Sequence, residues 1–308
     1  MRVALLCATR RGYLFLQELA ELLPQSEFVV FSFRETPGEP PFLDDIRGLT
    51  LAIGGRFFEA RQVCSSHLNE FWESTSVDLM FVVSWRYMIP ASVYLRPRQG
   101  TFVFHDSLLP EYRGFSPTVW AIISDKDHTG VTLFEIAGQM DAGDIVDQER
   151  VPIGSDETIA VVMDRVTQTY LDLLERNLDG LIKGTAPRYP QDHSHATYTC
   201  KRLPEDNQID WTVPTNTVYN LIRAVSAPYP GAYTYLSDQK IRVWSAQRVI
   251  NARRYVGGIP GRVVEVRTEG SVVLTGDGVL LLSQVQMEGG EIVGASDLLN
   301  SLGHTLGR

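Results

Sequence analysis

The sequence contains no hydrophobic run near the ~20 consecutive apolar residues that a membrane-spanning helix requires, so no membrane partner is expected. Cysteine is scarce. The 3 present, Cys7, Cys64 and Cys200, lie far apart, with no Cys-x-x-Cys pair and no Cys/His group at metal-ligand spacing. That usage excludes a disulfide framework and points to a reducing compartment. The apolar run within MRVALLCATRRG is too short for a signal-peptide core, and a cytoplasmic location is expected. Positive charge is also in deficit, with 28 Lys and Arg against 37 Asp and Glu, a formal net charge of −9. A protein that grips nucleic acid through its phosphates needs the opposite balance. A Gly-rich phosphate loop is missing as well: the turn after the first apolar run reads CATRRGY, not GxGxxG, which argues against an ordinary dinucleotide site. His193 and His195 have no third ligand nearby, so no metal is expected.

What is present is a chain of 308 residues, 44% hydrophobic and 21% charged, long enough for two domains. Short apolar runs over 2–7, 27–33, 78–84, 101–104 and 130–136 read as buried strands, and 13–23 as an amphipathic helix. Strands alternating with helices predict an α/β fold, a Rossmann-like and mostly parallel sheet. A long helix follows Ser155 and Asp156, its apolar residues from Ile159 to Leu181 spaced by threes and fours. The turn-rich stretch 185–200 reads as a linker. Beyond it, a helix over 216–225 and short strands broken by Gly, Asp and Asn predict a smaller, strand-rich, OB-like domain. The division expected is 1–184, 185–200 and 201–308. The apolar stretch 295–302 predicts a short helix, packed on the second domain or on a second copy of the chain in a homodimer.

In an open parallel sheet, ligands bind beyond the carboxyl ends of the strands. This directs attention to 84–90, 104–117 and 136–144. The second segment places His105 at a strand end, ahead of Asp106-Ser-Leu-Leu-Pro-Glu-Tyr-Arg113-Gly; about 36 residues after that histidine comes Met140-Asp141-Ala-Gly-Asp144. Taken alone, His105 could be a loop anchor and Asp141 a turn residue.

The combination of SLLPxxRG with DxGD at this distance resembles the folate-dependent formyltransferases that act on methionyl-tRNA, nucleotide-linked amino sugars and glycinamide ribonucleotide. Asn207-Gln-Ile-Asp-Trp211, Ile222-Arg-Ala224 and Pro230-Gly-Ala232 extend the resemblance into the second half. There it is most similar to the domain that formylates UDP-4-amino-4-deoxyarabinose. The resemblance implies 10-formyltetrahydrofolate as formyl donor and a primary amine as acceptor. It assigns catalysis to His105 and Asp141. It also places the pterin between Trp85, Arg86, Tyr87, Met88 and Ile89 on one loop and Gly138, Gln139 and Met140 on another. Apolar and aromatic walls with polar backbone suit a flat heterocycle.

The attack of an amine on a formyl carbon needs a proton carrier and a donor for the oxyanion. A carboxylate beside His105 favours its charged form, so Asp141 is expected to orient and assist it. The resembled pattern is Asn-x-His, and here Val103 stands in the Asn place, on the strand face of His105. Valine supplies no donor, which leaves open a transferase with a rebuilt site, a 10-formyltetrahydrofolate hydrolase or thiol-acceptor enzyme, and a folate-binding module with little catalysis. Asp106 is either a holder of the acceptor ammonium or a solvated turn carboxylate. Ser107 and Arg113 are weaker substrate-contact candidates, and the resemblance gives Arg113 more the part of a loop anchor. The stretch 34–47, with four carboxylates against two arginines, would repel the phosphates of a tRNA. A small amine is therefore favoured: first a nucleotide-linked amino sugar, then an amino acid or hydroxyornithine-type amine, and last methionyl-tRNA.

Overall fold

The computed structural model describes residues 1–36 and 39–307 and divides into two compact units. The first comprises Met1–Pro117, Thr129–Pro152 and Asp164–Cys200; the second comprises Thr118–His128, Ile153–Met163 and Lys201–Arg308.

The main sheet of the first unit is built from β1 (Arg2–Cys7), β2 (Glu27–Ser32), β3 (Arg56–Glu59), β4 (Leu79–Val83), β5 (Thr101–His105), β7 (His128–Glu135) and β8 (Ile145–Pro152). Their order is β3-β2-β1-β4-β5-β7-β8. From β3 to β5 the pairing is parallel, with Val83 opposite Phe104, and β7 joins β5 antiparallel, with Thr132 opposite His105. The Rossmann-like expectation is met. A two-stranded parallel patch, β6 (Arg113–Gly114) with β9 (Tyr198–Thr199), lies outside the main sheet. The helices are α1 (Thr9–Leu22), α2 (Leu43–Ala52), α3 (Ser66–Ser74), α4 (Ala91–Tyr94), α5 (Pro117–Ile123) and α6 (Ile159–Lys183), the last two running from one unit into the other.

Strand alternation divides the side chains of β5 between two cores. Phe104 faces α1 and α6, its ring 5.0 Å from Phe15 and 5.2 Å from Tyr170. Val103 faces the other way, against a cluster that includes Met80, Val82, Ile89 and Val93, with Trp85 and Ile136 at its margin. Phe15, Phe81, Phe102 and Phe104 are all nearly inaccessible to solvent. Each such ring contributes about 1.5–3 kcal/mol, so apolar packing fixes β5 along its length and polar groups need only hold its carboxyl end.

The second unit carries an antiparallel sheet of β10 (Ala232–Leu236), β11 (Gln239–Arg248), β12 (Val263–Arg267), β13 (Gly270–Leu274) and β14 (Val279–Met287), in the order β10-β11-β14-β13-β12, with β15 (Ile292–Gly294) on β14. Helix α7 (Thr215–Val225) buries Val218, Ile222 and Val225 and packs on β11. The expected terminal helix is shorter than its apolar stretch: α8 spans Ala295–Leu298 and lies against β13 and β14. Among the described residues no helix is long and apolar enough to cross a membrane.

Candidate active site

His105 is the last residue of β5 and is 8% exposed. Its Nε2 lies 2.9 Å from the carbonyl oxygen of Tyr112. A carbonyl only accepts, so Nε2 carries the hydrogen and, in the neutral ring, Nδ1 is the free base. Tyr112 adopts φ 58°, a left-handed conformation uncommon for a residue with a side chain, and it is this residue's carbonyl that receives the imidazole. The sequence reading credited Asp141 with orienting His105. Asp141 Oδ2 stands 3.8 Å from Nδ1, within reach of an ion pair but beyond a hydrogen bond. The Tyr112 carbonyl therefore makes the orienting bond, and the carboxylate faces the basic nitrogen.

Asp141 is itself held by the backbone. Its Oδ2 accepts the Gly114 amide at 2.8 Å, and its φ of 50° is again left-handed. Gly114 has φ 108°, and an added Cβ there would meet the Thr199 carbonyl oxygen at 2.6 Å, so a side chain at 114 would part the β6–β9 patch. Below this lies a network that composition and spacing do not signal. Arg113, 1% exposed, donates through Nη2 to Gln191 Oε1 at 2.5 Å and through Nη1 to the Tyr198 hydroxyl at 3.3 Å. The amide of Gln191 in turn donates to the carbonyls of Asp141 at 2.9 Å and Gly143 at 2.7 Å. His193 Nδ1 also accepts from Arg113, at 2.9 Å. The stretch read as a linker thus ties the two loops that bear on His105, and Arg113 is committed to that tie. Gln191 and Tyr198 lie in a segment without periodicity; their part shows only in the burial of Arg113, which has no carboxylate partner among the described residues.

Asp106 occupies neither of the positions considered for it. It sits in the bend that follows β5, and its contacts place it on the Phe104 side of the strand, away from the imidazole. Its Oδ1 accepts from Arg11 Nη1 at 2.7 Å and from the Tyr170 hydroxyl, and Arg11 lies 4.5 Å above the Tyr170 ring. Burial pushes this carboxyl up, but the Arg11 charge, the bonds from Tyr170 and Arg11, and the charge on His105 outweigh it and hold the group below the usual carboxylate range. Burial, then the neighbouring Asp106 charge, raises the Tyr170 phenol well above its ordinary value. Ser107 is buried, its hydroxyl donating to the Glu111 carbonyl at 2.7 Å.

The two loops assigned to the pterin differ in character. Trp85 and Tyr87 pack edge-on around Phe33, at 5.3 and 4.9 Å between ring centres, and the buried Trp85 Nε1 has no hydrogen-bond partner among the described residues. Ile89 is buried in the core cluster, whereas Met88 is 80% exposed. Arg86 pairs with Glu39 at 2.9 Å. Gly138, Gln139 and Met140 are all exposed. Aromatic faces, exposed methionines and an unpaired buried donor suit a flat heterocycle bearing acceptor atoms. The acidic stretch 34–47 carries less free charge than its composition implies, since Glu39 pairs with Arg86, Asp44 with Arg47 at 3.0 Å, and Glu35 is buried. Pro37 and Gly38 of that stretch lie outside the described residues.

A strand-end histidine facing a carboxylate stands on a Rossmann-like sheet, and an antiparallel strand-rich unit follows in the chain. The chain belongs to the formyl transferase family: residues 20–177 match the formyl transferase model and residues 202–303 the formyl transferase C-terminal domain. Among solved structures it is similar to HypX from Aquifex aeolicus in complex with tetrahydrofolic acid, with a TM-score of 0.66 at 20% identity over 98% of this chain and 47% of that one. The chain thus spans about half the length of HypX. It is also similar to an N-formyltransferase from Helicobacter canadensis in complex with folinic acid and dTDP-3-aminofucose, with a TM-score of 0.68 at 16% identity over 91% and 98% of the two chains. Methionyl-tRNA formyltransferase from Clostridium thermocellum gives a TM-score of 0.59 at 15% identity, over 81% and 94%. At these identities the likeness is one of fold.

Proposed function

We propose that this chain transfers the formyl group of 10-formyltetrahydrofolate to the primary amine of a nucleotide-linked amino sugar. The observation that carries the reading is the placement of His105, with Nε2–H fixed on the Tyr112 carbonyl and the Nδ1 lone pair turned to Asp141. The folate donor supplies an activated one-carbon unit and a nitrogen leaving group. Trp85, Tyr87, Met88, Ile89 and the backbone of 138–140 would hold it. Nδ1 of His105 takes the proton released by the attacking amine, and Asp141 balances the resulting imidazolium across the 3.8 Å gap. That proton is then available to the departing nitrogen. Val103 places an aliphatic surface on the His105 face, leaving the His105 Nδ1–H and water as donors for charge developing on the formyl oxygen. A sugar acceptor is supported by the Helicobacter canadensis neighbour, of whose length the match covers 98%.

The test is to incubate the protein with 10-formyltetrahydrofolate and a panel of nucleotide-linked amino sugars, amino acids and hydroxyornithine, following tetrahydrofolate release and N-formyl product by mass spectrometry. Tetrahydrofolate and product should form in equal amounts with one of the nucleotide sugars. In His105→Gln, kcat should fall by about 10²–10⁴. Equal amounts of tetrahydrofolate and formate, with no formylated amine, would make water the acceptor and overturn the sugar assignment.

A further inference from the structure

Beyond its last ladder pair with Thr132, the chain after His105 leaves the sheet, and four side-chain bonds take over where the ladder stops. The Tyr170 hydroxyl lies 3.0 Å from the carbonyl oxygen of Phe104 and also donates to Asp106. Arg11 Nη1 binds the same Asp106 oxygen at 2.7 Å. Thr129 Oγ1 donates to the Asp106 carbonyl at 2.8 Å. The residues on both sides of His105 are therefore gripped from α1, α6 and β7, while the imidazole projects to the opposite face. Arg11 and Tyr170 are 6% and 1% exposed, and Asp106 Oδ1 is already engaged by both of them.

We infer that Arg11, Asp106 and Tyr170 are positioning residues for His105, setting the backbone that aims Nδ1 at the substrate amine rather than contacting substrate themselves. The inference rests on the proposed role of His105. Two buried groups of opposite charge closed by a phenol give a rigid arrangement when all bonds are made, and small errors of aim at a catalytic base are costly in rate. A carboxylate at this place can serve the active site without lying in it.

Tyr170→Phe is the informative variant, because it keeps the ring under Arg11 and beside Phe104 and removes only the hydroxyl. The full chain would be assayed with 10-formyltetrahydrofolate and the amine acceptor found in the panel above. The ¹⁵N ring resonances of His105 would be recorded at fixed pH, and Tm measured in the same buffer. Expected are a tenfold or larger loss of kcat well below Tm, KM for donor and amine within twofold of wild type, and a change in the His105 ring signals. Asp106→Asn should act in the same direction, and Tyr170→Phe combined with Asp106→Asn should lose much less than the product of the two single losses. An unchanged kcat and unchanged His105 signals with a lowered Tm would overturn the inference, leaving a purely stabilising cluster. A raised amine KM with normal kcat in Asp106→Asn would also overturn it, because Asp106 would then be an acceptor-binding group. Full activity in His105→Gln would remove the underlying reading of His105, an outcome distinct from either.

Discussion

Replacing Val103 by Asn tests whether the formyl oxygen lies over the face of β5 that Val103 and His105 share. Val103 is partly buried against the Met80, Val82, Ile89 and Val93 cluster, with Trp85 and Ile136 nearby, and it stands two residues before His105. Asn is close to valine in size and adds an amide NH2 donor group together with a carbonyl acceptor. Removal of a single oxyanion donor costs about 10²–10³ in rate where a site is built around it; a donor introduced without further optimisation should recover a fraction of that, about tenfold or more in kcat. The same change removes apolar packing and buries an amide, which costs about 1–3 kcal/mol. At roughly 2–4 °C per kcal/mol for a domain of this size, Tm should fall by about 2–12 °C. The assay is steady-state tetrahydrofolate release with the amine acceptor saturating, and thermal unfolding by circular dichroism beside it. A gain in kcat with lower Tm is expected. If kcat is unchanged or reduced while the fold and donor KM are intact, the reacting oxygen does not face position 103 and the argument from strand alternation fails.

Gln191→Ala should destabilise the first unit by about 3–5 kcal/mol in urea denaturation. It takes the Oε1 acceptor from the buried Arg113 guanidinium, which keeps Tyr198 and His193, and frees the Asp141 and Gly143 carbonyls, and bonds to a charged group contribute about 1.5–3 kcal/mol each; unaltered stability would show that water replaces the amide. The pH dependence of stability should carry the mark of Asp106. Its folded pKa is depressed, so its contribution is present above the ordinary carboxylate value of about 3.9 and is lost as pH falls through the folded value. The stability difference between wild type and Asp106→Asn should therefore shrink on going from about pH 6 to pH 3; a difference that stays constant over that range would mean the carboxyl is not depressed.

The strands of the sheet were legible because they are apolar on both faces or strictly patterned: Arg2–Cys7, Leu79–Val83 and Thr101–His105 stand out as buried runs. The elements that escaped did so for identifiable reasons. Arg56–Glu59 is four residues long with charged ends and sits at the sheet edge. Ile145–Pro152 is interrupted by the polar run Asp-Gln-Glu-Arg, which breaks its apolar pattern on both faces. Helix Leu43–Ala52 has Gly48 within it, and Ser66–Ser74 is short and polar. Each gains its structure from packing or from a neighbouring strand, which periodicity in a single segment does not register.

At the candidate site, the sequence brought forward the residues whose chemistry is visible in their type. His105 and Asp141 are brought to face each other. What it could not show is which bonds hold them. The ring of His105 is fixed by a backbone carbonyl at Tyr112, and every residue supplies a carbonyl. Asp141 is fixed by a backbone amide at Gly114 and by a glutamine 50 residues away in sequence. Asp106 reads as a group on offer to substrate because it follows the histidine; in the bend after β5 it turns to the other side, where Arg11 and Tyr170 close on it. The twofold alternation of β5 sets Val103 beside His105 on one face and Phe104 on the other; Asp106, in the bend beyond the strand, joins the Phe104 side through Arg11 and Tyr170, so that α1 and α6 back the strand end from which the proposed base, His105, projects away.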